Sequence, residues 1–192
     1  MIQNFFSPAW KPLMDFLSEF AANAPGYIII LLFIYFCIDR KFGLRLFLFM
    51  VISDALNRLL KTVFMQPRPF QINNNVKIYF NPETKHLGYG MPSGHAQSSV
   101  VIYGTLFYHI KKTLFRIFII LILAGIALSR LYLGAHSIFQ VLSGLITGLL
   151  TLFFLIKYEK KILDKVIRLR PLVFSLISLS SGILFLFTVL SV

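Results

Sequence analysis

The chain has 192 residues, 57% of them hydrophobic, with 21 Phe against 7 acidic residues and a net charge of +12. That is too apolar for a soluble domain and places the chain among integral membrane proteins. The charge would suggest nucleic acid in a soluble protein, but here the basic residues sit mostly in short connections between apolar runs, and a nucleic-acid partner is not expected.

Residues 1–23 carry Phe5, Phe6, Trp10, Leu13, Phe16, Leu17 and Phe20 at near-helical spacing among Lys11, Asp15 and Glu19. This is the pattern of a helix lying in the membrane interface. No basic stretch followed by an apolar core and a small-residue cleavage site opens the sequence, so no removable leader is expected. Apolar runs follow at about 25–38, 44–64, 95–110, 114–131, 137–157 and 172–191, at or near the length that crosses a bilayer. The first is short, and Asp54, Asn57, Arg58 and Lys61 interrupt the second. The expected fold is an all-α polytopic membrane bundle of about six spans plus the interfacial helix. It forms one domain over 1–192, with the core at 24–157 and an additional span at 172–191. Cys37 is the single cysteine, which leaves no internal disulfide and no cysteine metal site.

Numbering the spans puts the links at 39–43, 111–113 and 158–171 on one side, and that side carries twelve of the nineteen basic residues. The positive-inside rule makes it cytoplasmic. The 66–92 loop and the 131–136 turn then share the opposite, outer face, periplasmic or extracellular in a bacterium.

Three segments converge on that face: "KTVFMQPRPF" ends the second span, "MPSGHAQSS" begins the third, and "SRLYLGAHSIFQ" bridges the fourth and fifth. They offer Lys61, Arg68, Arg130, Ser93, His95 and His136. Ionisable groups at membrane depth are costly and usually functional. Three cations with no acidic partner in these segments suit a multiply charged anion, with the Arg forks matched to phosphate oxygens. Pro92 and Ser93 are helix-start signals, and a helix beginning there aims the N–H groups of Gly94 and His95 outward as phosphate donors. A neutral imidazole can attack a phosphoryl group so held, while a second group protonates the leaving oxygen; two histidines can divide those roles. A hard divalent ion on phosphate wants carboxylates, and Glu83 is the only acid in the outer loops, so neither metal nor cofactor is expected. Asp54, four residues before Arg58 on one helical face, reads as its intramembrane ion-pair partner. His86 and His109 read as loop and interface residues.

Taken together, these segments resemble the phosphatidic acid phosphatase type 2 superfamily, membrane lipid phosphatases whose active site is shared with vanadium haloperoxidases. The family's motifs are K-x6-RP, PSGH and SR-x5-H-x3-D. Lys61, Arg68 and Pro69 match the first, Pro92, Ser93, Gly94 and His95 the second, and Ser129, Arg130 and His136 the third, which departs at its last position, Gln140. The resemblance runs from the interfacial segment to about residue 157. It implies that His136 is the nucleophile forming a phosphohistidine and that His95 protonates the leaving alkoxide. Lys61, Arg68, Arg130, Ser93 and the Gly94 N–H would hold the phosphate, with no metal. Gln140, at i+4 from His136, would share a helix face with it and could fix its tautomer, but supplies no counter-charge. Gln stands at this place in the glucose-6-phosphatase and dolichyl diphosphatase branches of the family, and the extra positive charge it leaves would favour a diphosphate. The implied substrate is a lipid phosphate or diphosphate: a polyprenyl diphosphate such as that of an undecaprenyl diphosphatase, phosphatidylglycerol phosphate, phosphatidic acid or a lipid A phosphate. A lipid phosphotransferase using the same site, and a catalytically silent lipid-binding or transport protein, are the alternatives. The sequence fixes no oligomeric state.

Overall fold

The computed structural model describes residues 7–20, 22, 24–73, 75–79 and 88–168, which form helices and connecting turns with no β-strand among them. A 3-10 turn (Pro8–Trp10) leads into α1 (Lys11–Asp15), which continues as a π-helical turn over Phe16–Phe20. α2 (Ala24–Phe33) likewise continues over Ile34–Ile38. Then come α3 (Arg40–Phe64), a short α4 (Pro69–Ile72), α5 (Gly94–His109), α6 (Thr113–Tyr132), α7 (Ile138–Lys157) and α8 (Glu159–Arg168). α6 and α7 are long and apolar enough to cross a bilayer, and Pro25–Ile38 is a shorter apolar helix. Helices α2, α3, α5, α6 and α7 lie where spans are expected at 25–38, 44–64, 95–110, 114–131 and 137–157, and among the described residues α6 and α7 are the two that have the length and hydropathy of a crossing. The span expected at 172–191 lies outside the described residues, as do Glu83 and His86.

α8 replaces what read as a plain link. Its Ile162 packs on a cluster of Phe49, Val101 and Leu155, and Glu159 pairs with Arg45 of α3 at 2.7 Å. Arg45 also donates to His109 Nε2 at 2.6 Å, which puts His109 at the end of the bundle opposite the motifs. Asp54 and Arg58 pair at 2.9 Å as expected, with both side chains about half exposed on the outside of α3.

The helix ends are set locally. Asp39 caps α3 by accepting from Phe42 N at 2.7 Å. α3 stops at Met65, whose left-handed φ of 45° turns the chain, while Pro67 and Pro69 cannot extend the helix. That reversal throws Gln66–Arg68 back across the end of the bundle. α6 ends in a turn where Gly134 has a φ of 74°, a conformation glycine adopts without a Cβ clash.

Inside a bilayer the helices gain little from the hydrophobic effect and are held by close packing and polar contacts. Tyr27, Leu46, Ile102, Leu106, Ile119 and Ile126 interlock as one core. α5 and α7 meet at small residues: a Cβ on Gly144 would lie 2.5 Å from Ser93 O, and one on Gly148 would lie 2.8 Å from Val100 Cβ. Between α3, α5 and α7 runs a buried amide network. Asn57 Nδ2 donates to Gln97 Oε1 at 2.9 Å and to Pro92 O at 3.3 Å, Gln97 Nε2 donates to Ser53 O at 2.9 Å, and Thr147 Oγ1 donates to Gln97 Oε1 at 3.1 Å. Its amide donors are satisfied, as buried polar groups in a bundle must be.

Candidate active site

The C-terminal ends of α3 and α6 and the N-terminal ends of α5 and α7 lie at one end of the bundle, and the three motifs meet there. The loop after α3 is pinned to the rest by backbone and side-chain bonds. Gly90 N donates to Gln66 O at 2.7 Å and Ser93 N to Gln140 O at 2.9 Å. Arg68 is buried; its Nε donates to Gly88 O at 3.0 Å and its Nη1 to Ala135 O at 3.4 Å. Burial lowers its pKa to about 10, so it stays cationic at neutral pH. Lys61, on the last turn of α3, lies close enough to Arg68 and Arg130 for their charges to act on it.

Ser93 occupies the N-cap position of α5, yet its hydroxyl caps nothing. Ser93 Oγ is buried without a partner, and so is Nε of Arg130. A buried polar atom left unpaired costs about 1–3 kcal/mol, so these two atoms of the motif residues, one a cationic donor and the other a hydroxyl, are ones an anion could satisfy. Gly94 opens α5 in a tight place, where an added Cβ would meet Asn57 Oδ1 at 3.1 Å.

His136 precedes α7 and is buried. Its Nδ1 faces Gln140 Oε1 at 3.3 Å. That amide oxygen also accepts from Ser137 N at 3.2 Å, while Gln140 Nε2 donates to Pro67 O at 2.8 Å and to Gln66 Oε1 at 3.3 Å. The carbonyl of Pro67 and the N–H of Ser137 fix which way the Gln140 amide points. Nδ1 therefore carries the proton, and Nε2 keeps its lone pair. Burial holds the His136 pKa well below the ordinary imidazole value, helped by Arg130, Arg68, Lys61 and His95 in that order, so the ring is neutral at physiological pH.

One expectation is corrected in its reason. Gln140 reaches His136 as the third residue of a capping box, with Ser137 Oγ accepting from Gln140 N at 3.3 Å, because α7 starts only at Ile138 and His136 lies outside it. The site is also not free of carboxylates. Glu19, from the N-terminal segment, acts electrostatically on Arg130, and Nη1 of Arg130 donates to Ser18 Oγ. Ser18, Gln66 and the Asn57–Gln97 pair are the residues that sequence reasoning missed. The available signals were polar side chains inside apolar runs for Asn57 and Gln97, and none for Ser18. Among the described residues no three His, Cys, Asp or Glu side chains are grouped to hold a metal ion.

Residues 42–164 match the sequence profile of the PAP2 superfamily. The chain is 28% identical over 149 residues to dolichyldiphosphatase of Saccharomyces cerevisiae, covering 72% of this chain and 61% of the relative. It is 31% identical over 136 residues to undecaprenyl-diphosphatase of Sulfolobus acidocaldarius, covering 71% and 64%. It therefore spans less than two thirds of the length of either relative. The crystal structure of the first transmembrane PAP2 type phosphatidylglycerolphosphate phosphatase from Bacillus subtilis superposes with a TM-score of 0.66 at 25% identity, covering 83% of this chain and 81% of that one.

Proposed function

The chain belongs to the PAP2 superfamily, and from that premise we propose that it is a metal-independent membrane phosphatase that removes a phosphate from a lipid phosphate or diphosphate. The single observation that carries this reading is a buried His136, anchored through Nδ1 by Gln140 in a site whose charges are mostly cationic. The Arg130 fork, the Arg68 guanidinium through the nitrogen its two backbone bonds leave over, and the Lys61 ammonium take the phosphate oxygens, with Ser93 Oγ and the Gly94 N–H at the positive end of α5. Nε2 of His136 attacks phosphorus; the P–N bond forms as the P–O bond to the leaving group breaks, and His95 gives its proton to the leaving oxygen. The arriving dianion favours the imidazolium that this step needs at His95. His95 then takes a proton from water as the water cleaves the P–N bond, restoring both rings. Electrostatic stabilisation by preorganised cations supplies much of the catalysis in such a design.

The names of the two curated relatives put a polyprenyl diphosphate first among substrates to offer. The charge asymmetry of the links supports a site facing away from the cytoplasm. The test is phosphate release in detergent with EDTA, offering polyprenyl diphosphate, phosphatidylglycerol phosphate and phosphatidic acid to the native protein and to His136→Ala. Release that survives EDTA and disappears in the variant supports the reading. Release that requires an added lipid acceptor indicates a phosphotransferase, and binding without release a silent lipid-binding protein.

A further inference from the structure

We propose that Ser18 is a positioning residue for Arg130, and that the N-terminal segment is a working wall of the phosphate site in addition to any role at the membrane surface. The proposal rests on the reading of Arg130 as a phosphate ligand.

A guanidinium offers two distinct faces. Nη1 lies on the Cδ side, whereas Nε and Nη2 lie together on the other and form the side-on fork that matches two phosphate oxygens. In this protein Nη1 is bonded to Ser18 Oγ, and Nε is buried without a partner. Ser18 thus occupies the one nitrogen that the fork does not need. Held at that corner, the planar group cannot swing, and the fork is presented ready-made. The hydroxyl can accept from Arg130 because its own proton is directed to Glu19 Oε1, 3.5 Å away, and a carboxylate there favours the charged guanidinium.

The sequence delivers Ser18 to this place by docking the segment on α6. Leu17 fills the space over Gly125, where an added Cβ would lie 3.0 Å from Leu17 Cδ1, on the same helix as Arg130 and N-terminal to it. Met14 packs with Tyr132 and Leu133, and Tyr132 Oη donates to Ser7 O at 3.5 Å. The π-helical turn at Phe16–Phe20 widens the helix so that Leu17 and Ser18 both face α6, a distortion often found at functional sites. Phe16, Trp10 and Leu13 are exposed on the other side, but Ser18 is 0% exposed, which a hydroxyl with only an interfacial role has no reason to be.

A double-mutant cycle on the full chain tests this: Ser18→Ala, Ser18→Thr, Arg130→Lys and the pair Ser18→Ala with Arg130→Lys. Two measurements are made, kcat/KM on the lipid substrate and thermal stabilisation by orthovanadate, a phosphate-shaped oxyanion whose binding needs no turnover. Ser18→Ala is expected to lower kcat/KM by about 10- to 100-fold, the scale of a misplaced binding group, and to weaken the vanadate response. Ser18→Thr is expected to keep both, because it keeps the hydroxyl. Lysine has no fork to hold, so Ser18→Ala should add little to Arg130→Lys. An equal loss from Ser18→Ala in both backgrounds would show a general folding role and overturn the proposal, as would full kcat/KM and full vanadate binding in Ser18→Ala. If the native protein binds vanadate but cleaves no lipid phosphate, the proposed function fails and the vanadate cycle still decides Ser18. If vanadate does not bind at all, the proposal falls with its premise.

Discussion

Gln140 and His136 are joined at 3.3 Å through Oε1 and Nδ1, and the same amide spends both of its protons on Pro67 O and Gln66 Oε1. The family's Asp could do only the first of these. A carboxylate is one methylene shorter, has no proton to give, and would face the Pro67 carbonyl as one acceptor facing another. Gln140→Asp is therefore expected to lower kcat/KM by about 10²-fold, the cost of roughly 1 Å of misplacement at the reacting group. Steady-state kinetics with a lipid monophosphate and a diphosphate check this. The same data test whether the missing negative charge favours the diphosphate; an unchanged ratio removes that idea.

The low pKa of His136 fixes the sign of one pH effect. Because burial and the neighbouring cations disfavour its imidazolium, the neutral nucleophile persists below the ordinary imidazole value of about 6.5. The acid-side fall of kcat/KM that belongs to His136 should therefore lie below pH 6.5, and a fall centred above it would contradict the assignment. The same depression means that folding stability is lost as pH falls below the unfolded pKa, since the unfolded chain then binds the extra proton. Thermal melts of native protein and His136→Ala across pH 5 to 7 should separate in that direction.

Two glycines give opposite predictions. A Cβ on Gly144 would lie 2.5 Å from the carbonyl of Ser93, so Gly144→Ala must push α7 away from the start of α5. At Gly88 nothing lies within 4 Å of an added Cβ. Gly144→Ala is expected to lower both melting temperature and activity, by the roughly 1–3 kcal/mol typical of overpacking, while Gly88→Ala leaves both unchanged.

The amide network below the site is expected to set its geometry as well as its stability. Asn57→Leu removes the donor to Pro92 O and Gln97 Oε1, leaving both without that proton at a cost of about 1–2 kcal/mol inside a bundle. Because Pro92 begins the turn carrying Ser93 and Gly94, the loss should appear in kcat/KM as well as in the melting temperature. Thr147→Val, at the margin of the network, should show mainly the second. Equal activity loss in the two would count against a positioning role for Asn57.

Composition and apolar periodicity determined the membrane class, the helical fold and the approximate ends of α3, α5, α6 and α7, because the bilayer taxes every exposed backbone and charged group along the chain itself. The three motifs likewise singled out Lys61, Arg68, Ser93, Gly94, His95, Arg130, His136 and Gln140 as candidates, since polar and cationic groups at membrane depth are costly wherever they fold. Only the tertiary structure decided which polar group meets which. Ser18 reaches Arg130 across 112 positions, and Gln140 reaches Pro67 across 73; no local pattern records such pairs, because they arise from which helix faces pack together. Ser93 shows the same division: its place at the start of α5 is written in the sequence, whereas its hydroxyl that caps nothing and the bond from its N–H to Gln140 O of α7 appear only in the fold.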